Sequence, residues 1–302
     1  MDIIIDRGKT VSLDSLPQYS IALDGFVQGP QIDEVNYRYS FDHHAGCFRY
    51  CTISACMQAW TVITAGGIED LDRYNVYAND VDSDVCMAVW CLKNPDRCAE
   101  PLVKKIVDAI GLGDMHGGAF SLNGMTKVVE WVSAPETDSK RNQDYYKISN
   151  TGLYSVMEAV LHRIDLYVNG EASIEVAKQH KHGEFNVIRN ENDWALIESD
   201  DPHAWGPIYQ AGFKRVVLIR KQNDGSTAVS IAKKSDFVPG FPLLMFYEAL
   251  NKLEPGWGGS SSIGGCPRNL DGSRSKLSID VIVDVIDKVK EEYDRQSKHT
   301  SG

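Results

Sequence analysis

Short apolar segments alternate with longer helical patterns through the first half of the chain, and this alternation most narrows the possible folds. Segments YSIALDG (19–25), YRYSFDHH (37–44) and YNVYAND (74–80) are typical of strands, whereas residues 46–66 and 84–94 are typical of helices. Consecutive strand–helix–strand units build parallel sheets, because a crossover helix must carry the chain back to the same end of the sheet. The sequence therefore predicts an α/β fold with an open, mainly parallel sheet.

An aspartate follows each of these strands, namely Asp24, Asp42 and Asp80. In open parallel sheets, ligands bind beside the carboxyl ends of the strands. The third strand continues into Asp82 and Asp84, and carboxylates this close repel one another unless a cation neutralises them. A plain turn at Asp24 and N-capping of the next helix are the alternatives, although one aspartate would suffice as a cap. We predict four metal ligands here: Asp24, Asp80, Asp82 and Asp84.

The second strand ends in Asp42-His43-His44, before a turn that contains glycine. Carboxylate oxygen together with imidazole nitrogen suits manganese, iron or zinc. Adjacent histidines on an extended strand point to opposite faces, so we expect one to bind metal and the other to contact substrate or orient a neighbour. We predict Asp42, His43 and His44 as catalytic residues, with Asp42 and His43 also binding metal. Surface or capping roles are the alternative.

A polar, highly charged stretch at residues 133–147 lacks apolar periodicity and predicts a domain boundary. Residues 1–135 would form a metal-binding α/β domain, and residues 148–302 a smaller α+β domain that binds substrate. The second domain should contain a hairpin with its turn at Asn223-Asp224-Gly225. Its predicted helices cover 151–164, 241–253 and 278–296.

A glycine-rich segment near the carboxyl end carries serines and an arginine. Glycines let the backbone approach an anion, and hydroxyl and guanidinium groups can donate hydrogen bonds to it. A flexible linker is the alternative, but Trp257 and Ile263 are poor linker residues. His116, beside two glycines, could be a metal ligand, a general acid or a loop residue. The candidate substrate-binding residues are Gly258, Gly259, Ser262, Gly264, Gly265, Arg268 and His116.

The net charge of −11 disfavours long nucleic acid and anionic membrane surfaces as partners. No apolar run approaches the roughly 20 residues that span a bilayer, and the first residues do not resemble a signal peptide, so we expect a cytoplasmic protein. The seven cysteines form no CxxC pair, which disfavours a zinc knuckle or a disulfide framework. We predict that Cys47, Cys51, Cys86 and Cys91 are small buried apolar residues.

Together, the Asp-His-His and glycine-rich motifs resemble those of the DHH phosphoesterase superfamily. The resemblance implies an amino-terminal α/β domain with two Mn²⁺ ions and a smaller carboxy-terminal domain that grips the substrate. Residues 79–84 are similar to the family's aspartate-rich motif, and residues 258–268 to its glycine-rich motif. Two features depart from the family pattern. The aspartate-rich segment follows Asp-His-His instead of preceding it, and the glycine-rich segment lacks the expected histidine.

These observations predict a manganese-dependent phosphoesterase that acts on a small phosphorylated metabolite or a short nucleotide. Two ions held by the acidic and histidine residues would activate water and contact the phosphate oxygens. The alternatives are a metal-dependent hydrolase of a non-phosphate bond and a ligand-binding protein without catalytic activity, since metal ligands alone do not identify the bond broken. The sequence leaves open whether the chain forms a homodimer.

Overall fold

The computed structural model describes residues 1–141, 145, 148–174, 184–201, 204–222, 224–269 and 272–299. The chain divides into two compact units, Met1–Gln179 and His180–Gly302. Each unit contains one sheet, and the sheet of the first unit is mostly parallel. The predicted mixed α/β architecture is confirmed to this extent, and the two units divide later in the chain than the predicted boundary.

The sheet of the first unit is built from the strands that the alternation predicted, with two additional short strands. The strands are β1 (Ile3–Ile5), β2 (Ser20–Leu23), β3 (Gln31–Asp33), β4 (Arg38–Phe41) and β5 (Asn75–Ala78). Their order is β1-β5-β2-β4-β3, with β3 antiparallel to β4 and the other pairs parallel. Every residue of β2 is buried, as expected for a central strand covered on both faces.

Five helices pack with this sheet in the described part of the unit. They are α1 (Ala55–Thr64), α2 (Ser83–Lys93), α3 (Pro101–His116), α4 (Thr126–Arg141) and α5 (Asn150–Val168). Helix α2 is buried along almost its whole length, because its apolar side chains contact the core on all sides. The helices predicted at 84–94 and 151–164 are confirmed.

The helix predicted at 46–66 is too long at its start, because α1 begins only at Ala55. Cys47 and Cys51 precede it. Cys47 is half-buried and Cys51 is exposed, so the prediction that both are buried is wrong. Cys86 and Cys91 lie in α2 and are buried as predicted.

The prediction of a linker at residues 133–147 is wrong for the first part of that stretch, because α4 continues to Arg141. The helix packs through the buried residues Val128 and Val132, and Glu136 is also buried and paired with Lys140 one turn later. Because some residues on the packed face are polar, the spacing of apolar residues alone did not indicate a helix here. Residues 142–144, 146 and 147 of the predicted linker lie outside the described residues.

The second unit contains a largely antiparallel sheet. Its strands are β6 (Asn186–Glu191), β7 (Trp194–Glu198), β8 (Arg215–Lys221), β9 (Thr227–Lys233), β10 (Gly258–Gly259) and β11 (Ile263–Gly265), and its helices are α6 (Trp205–Gln210), α7 (Leu243–Asn251) and α8 (Ile279–His299). The strand order is β10-β11-β9-β8-β7-β6, and only β7 and β8 run parallel among the described strands of this sheet.

The predicted hairpin is confirmed as the antiparallel pair β8 and β9. Its turn contains Asp224 and Gly225, while Asn223 lies outside the described residues. Helices α7 and α8 match the two predicted in this region. Across the described part of the chain, every helix is too short or too polar to cross a lipid bilayer.

Candidate metal centre

The strand order brings three predicted acidic positions to one edge of the sheet. Strand β2 lies between β5 and β4, and all three run parallel. Asp24 follows β2, Asp42 and His43 follow β4, and the aspartate-rich run follows β5. Asp24 adopts a left-handed backbone conformation, with φ of 45°, which turns the chain directly after the strand. Because neighbouring parallel strands end at the same edge, residues distant in sequence can share one site.

The first of two candidate ligand groups contains Asp24, His43 and His44. Oδ1 of Asp24 lies 3.2 Å from Nδ1 of His44 and 3.5 Å from Nε2 of His43. His43 is fully buried, whereas the His44 side chain retains 34% of its exposure. The group therefore has a buried side and a side that solvent or a substrate can reach.

The second group shares His43 and adds Asp84 and Asp114. Nε2 of His43 lies 2.7 Å from Oδ2 of Asp114, which comes from the last turn of α3. Asp84 lies in the first turn of α2, and its carboxylate accepts hydrogen bonds from the backbone N–H groups of Ala55 and Cys56 at 2.9 and 3.3 Å. Asp84 thereby caps the start of α1 while facing His43.

Several buried atoms of these groups make no well-oriented hydrogen bond among the described residues, and apart from Nδ1 of His43 they are the atoms of the close ion pairs given above. They are Oδ1 of Asp24, both ring nitrogens of His43 and Oδ2 of Asp114. Burying polar or charged atoms without a partner costs several kcal/mol, on the order of 2–7 for a neutral polar group. Ligand atoms held by one octahedral ion at ~2.1 Å lie ~3.0 Å apart, close to the separations seen here. The residues present therefore fit a divalent cation.

The charges of the group also favour a cation. Burial lowers the pKa of His43, but the carboxylates of Asp114 and Asp24 more than compensate and raise it to about 9. Burial also lowers the pKa of His44, but the carboxylates of Asp24 and Asp42 more than compensate and raise it to about 10. Burial together with the carboxylates of Asp114 and Asp24 raises the pKa of Asp84 to about 6. The carboxylates thus outnumber the positive charges, and a divalent ion would replace protons on the histidines.

Asp42 lies outside both groups and orients His44. Its carboxylate accepts hydrogen bonds from the backbone N–H groups of Gly29 at 2.6 Å and His44 at 3.1 Å, and it lies 2.9 Å from Nδ1 of His44. The expectation that the two histidines point to opposite faces is wrong, because β4 ends at Phe41 and both rings approach Asp24. Metal binding by Asp42 stays a prediction.

The structure places the first two aspartates of the aspartate-rich run outside both groups. The Asp82 side chain caps α2 by accepting a hydrogen bond from the backbone N–H of Val85 at 2.9 Å. Asp80 accepts hydrogen bonds from the backbone N–H of Val81 and from the Tyr145 hydroxyl. Burial and the Asp24 carboxylate raise the pKa of Asp82, so this side chain lies within the electrostatic reach of the centre. The capping alternative thus describes Asp82, and metal binding by Asp80 and Asp82 stays a prediction.

Sequence analysis missed Asp114 and Arg49. Nη2 of Arg49 donates hydrogen bonds to Oδ1 of Asp114 at 2.9 Å and to the Asp114 carbonyl at 3.3 Å. Burial lowers the pKa of Arg49, but the surrounding carboxylates, Asp114 first, raise it overall. Asp114 stood in the segment that drew attention to His116, whereas nothing in the sequence around Arg49 indicated a role. His116 itself is the last residue of α3, and so it is not a loop residue.

The glycine-rich segment forms a tight hairpin within the second unit. Gly258 pairs with Gly265 and Gly259 with Gly264 in the antiparallel strands β10 and β11. A Cβ at Gly264 would lie 2.3 Å from the Gly258 carbonyl oxygen, and one at Gly265 would lie 2.2 Å from the Val229 carbonyl oxygen. Backbone packing therefore explains Gly264 and Gly265 without a bound anion. Ser262 is buried at the turn and Arg268 is exposed, and their predicted substrate contacts stay predictions.

No protein-family model matches the chain, and no curated protein matches it. The resemblance to the DHH phosphoesterase superfamily therefore stays a prediction.

Proposed function

We propose that this chain is a metal-dependent hydrolase of a phosphorylated small molecule. The observation that carries the proposal is the cluster of buried groups at Asp24, His43 and Asp114: oxygens of the two carboxylates lie 3.5 and 2.7 Å from Nε2 of His43 without forming a well-oriented hydrogen bond. Such atoms are rare in folded proteins unless an unseen water or ion satisfies them. The ligands that we propose are Asp24, His43, His44, Asp84 and Asp114.

Oxygen-rich ligands combined with imidazole favour manganese among the common divalent ions, although iron and zinc accept the same atoms. When bound, such an ion supplies a nucleophile at neutral pH and positive charge against the phosphoryl oxygens. The two candidate groups share His43 and are therefore adjacent, but both approach its Nε2, and one imidazole nitrogen binds one ion. The proposed pair of Mn²⁺ ions would thus need His43 on one ion and carboxylates on the other. A cytoplasmic location is part of the proposal.

Asp42 and Arg49 orient the proposed ligands, and Arg49 also supplies positive charge. Asp42 holds the His44 ring in place through hydrogen bonds to the backbone and the ring. Arg49 holds Asp114 by donating to its carboxylate and carbonyl oxygens. Partners of this kind fix the geometry of metal ligands, and their loss commonly lowers metal affinity or activity by about 10- to 100-fold. The guanidinium of Arg49 also places positive charge beside the carboxylates, where a phosphate would approach.

The proposal is tested by measuring metal content and phosphoester hydrolysis together. We expect the purified chain to bind one to two equivalents of Mn²⁺, as measured by elemental analysis, and to release p-nitrophenolate from bis(p-nitrophenyl) phosphate when Mn²⁺ is present. Asp24→Asn should abolish both, since it removes a charged ligand, and asparagine tolerates the left-handed backbone of Asp24. Asp96→Asn, at an exposed carboxylate of the same unit, is the matched control.

Two results would contradict the proposal. If the purified chain binds no divalent ion, the proposed metal centre is excluded. A chain that binds Mn²⁺ but cleaves no member of a phosphomonoester, phosphodiester and nucleotide panel would retain the metal centre and exclude phosphoester hydrolysis.

A further inference from the structure

An arginine without a counterion lies beyond the end of strand β1 in the first unit. The Nε and Nη2 atoms of Arg7 are buried, and neither donates a hydrogen bond to a described residue. Among the described residues, Arg7 also forms no ion pair. A guanidinium keeps its charge at any physiological pH. Because a buried charge without a partner is unfavourable, a group of this kind is expected where an anion binds.

The two unpaired nitrogens of Arg7 lie on one edge of the planar guanidinium. The N–H of Nε and one N–H of Nη2 point in nearly the same direction from this edge, so together they can donate to two oxygens of one phosphate or carboxylate. A lysine ammonium lacks this planar two-point geometry. The unpaired edge of Arg7 therefore matches an oxyanion in shape as well as in charge.

An aromatic ring holds the guanidinium in position. Cζ of Arg7 lies 5.2 Å from the ring centroid of Tyr145, which is within the range of a cation–π contact. The Tyr145 hydroxyl is anchored in turn, because it donates to Asp80 and accepts from the backbone N–H of Val81 at 3.3 Å. The ring thus places the charge of Arg7, but it offers no conventional hydrogen-bond acceptor to Nε or Nη2.

The segment around Arg7 is close to the surface and carries positive charge. Arg7 is half-buried, and the next two residues, Gly8 and Lys9, are exposed. A Cβ added at Gly8 would meet no atom within 4 Å, so open space adjoins the chain at this point. Lys9 pairs with Asp6 at 2.8 Å, but exposed pairs of this kind contribute little and reopen easily. An anion that approaches from solvent would meet positive charge on its way to Arg7.

The sheet sets the distance between Arg7 and the candidate metal centre. Strands β1 and β2 lie on either side of β5, and their last residues are level with one another in the register of the two parallel pairs. Neighbouring strands are about 4.8 Å apart, so the ends that precede Arg7 and Asp24 are separated by about 10 Å. The Thr10 hydroxyl donates to the Gly25 carbonyl at 3.1 Å, which ties the segment after β1 to the turn at Asp24.

We propose that Arg7 binds a second anionic group of the substrate, a phosphate or a carboxylate, while the metal centre holds the phosphoryl group that is cleaved. This inference rests on the proposed function for the reaction, but anion binding at Arg7 itself requires no metal. The substrate class narrows to phosphoesters whose two anionic groups can bridge about 10 Å.

The first test measures anion binding in the absence of metal. The full chain in EDTA is titrated with inorganic phosphate and, separately, with acetate, and the heat of binding is measured by calorimetry. We expect phosphate to bind, and Arg7→Gln to lower its affinity at least tenfold, because hydrogen bonds to a charged group are lost. Acetate that binds as tightly as phosphate would identify the second group as a carboxylate or a phosphate, and acetate that binds more weakly would identify it as a phosphate.

Arg73→Gln is the matched control for the loss of an arginine that lies over a tyrosine. Cζ of Arg73 lies 3.9 Å from the ring centroid of Tyr19 in the same unit, but this arginine is exposed and pairs with Asp70 at 3.9 Å. Its variant should bind phosphate as the wild type does. Arg7→Lys keeps a positive charge but not the planar edge, so it should also bind phosphate more weakly, and it provides the test if Arg7→Gln folds poorly.

The second test compares hexyl phosphate with 1,6-hexanediol bisphosphate in the presence of Mn²⁺. The two substrates share one carbon chain and differ in the second phosphate. We expect kcat/KM for phosphate release, expressed per phosphate group, to be at least tenfold higher for the bisphosphate. Arg7→Gln should remove this preference, whereas Arg73→Gln should retain it.

The outcomes separate this inference from the proposed hydrolase. A wild-type chain that binds no phosphate in EDTA, or an Arg7→Gln variant that binds it with wild-type affinity, would overturn the anion site. Equal kcat/KM per phosphate group for the two substrates would overturn its role in substrate binding. In each of these cases, hydrolysis of bis(p-nitrophenyl) phosphate by the same preparation would leave the hydrolase in place. Arg7-dependent phosphate binding by a chain that hydrolyses no phosphoester would keep the anion site and exclude the hydrolase.

Discussion

The metal centre of the first unit and the glycine-rich hairpin of the second both stand out in the sequence, but for different physical reasons. At the metal centre, buried atoms of Asp24, His43 and Asp114 face one another without well-oriented hydrogen bonds among the described residues. In the hairpin, backbone atoms fill the space next to Gly264 and Gly265, where a side chain would otherwise lie. Unusual residues indicate a ligand only when the folded chain leaves their chemistry unsatisfied.

After Asp24→Asn, Asp114→Asn should cause the largest loss of activity, because it removes one negative charge that contacts His43 at 2.7 Å. We expect kcat/KM for bis(p-nitrophenyl) phosphate to fall about a thousandfold, which corresponds to ~4 kcal/mol. Asp108→Asn lies on the same helix and breaks only a surface pair with Lys104, so activity should stay within twofold of wild type. Equal losses in the two variants would attribute the effect to helix α3 and not to the metal centre.

Metal addition should produce the next largest effect. At a free Mn²⁺ concentration of about 100 times Kd, binding to the native state alone should raise the free energy of unfolding by ~2.7 kcal/mol. Thermal denaturation with Mn²⁺ and with EDTA measures this difference. Asp24→Asn should abolish the shift, since Asp24 contacts both histidines of the first group. A shift of equal size in Asp24→Asn would place the bound ion elsewhere in the chain.

Substitutions in the glycine-rich hairpin should change the free energy of unfolding and not the catalytic activity. A Cβ at Gly264 would also lie 2.4 Å from the Tyr247 hydroxyl, so Gly264→Ala should lower the free energy of unfolding by ~2 kcal/mol. At Gly258 a Cβ would meet no atom within 4 Å, and Gly258→Ala should therefore change stability by less than ~0.5 kcal/mol. Urea denaturation of both variants tests the comparison. Equal stabilities would show that the hairpin is not closely packed.

The sequence was sufficient to predict those parts of the fold and of the candidate site that depend on local residue patterns. The strands that precede Asp24 and Asp42 were visible as short apolar segments that end in polar residues, and the helix predicted between the second and third strands indicated a parallel sheet. Positions near strand ends made Asp24, His43 and Asp84 candidate metal ligands, while their convergence depended on a strand order that the sequence does not specify. The structure brings these residues into the two candidate groups.

The other parts of the candidate site could not be predicted, because they depend on packing between elements that are distant in sequence. Asp114 reaches His43 because the end of α3 lies against the segment after β4, and no local period specifies that contact. The same is true of Arg49, which belongs to a segment that is not helical although its apolar residues suggested a helix. The glycines of the hairpin carried a local signal, but strand packing and anion binding require the same residue type.

Arg268→Gln should have the smallest effect, and it decides whether the hairpin contributes to substrate binding. If packing alone explains the segment, KM and kcat for bis(p-nitrophenyl) phosphate should both stay within about twofold of wild type, because substitutions at exposed residues usually change free energies by less than ~0.5 kcal/mol. If Arg268 instead grips the phosphate as the sequence predicted, loss of a charge-assisted hydrogen bond worth ~1.5–3 kcal/mol should raise KM at least tenfold with little change in kcat. Such a rise would assign substrate recognition to the second unit. An unchanged KM would confine both the chemistry and the recognition of this phosphodiester to the first unit.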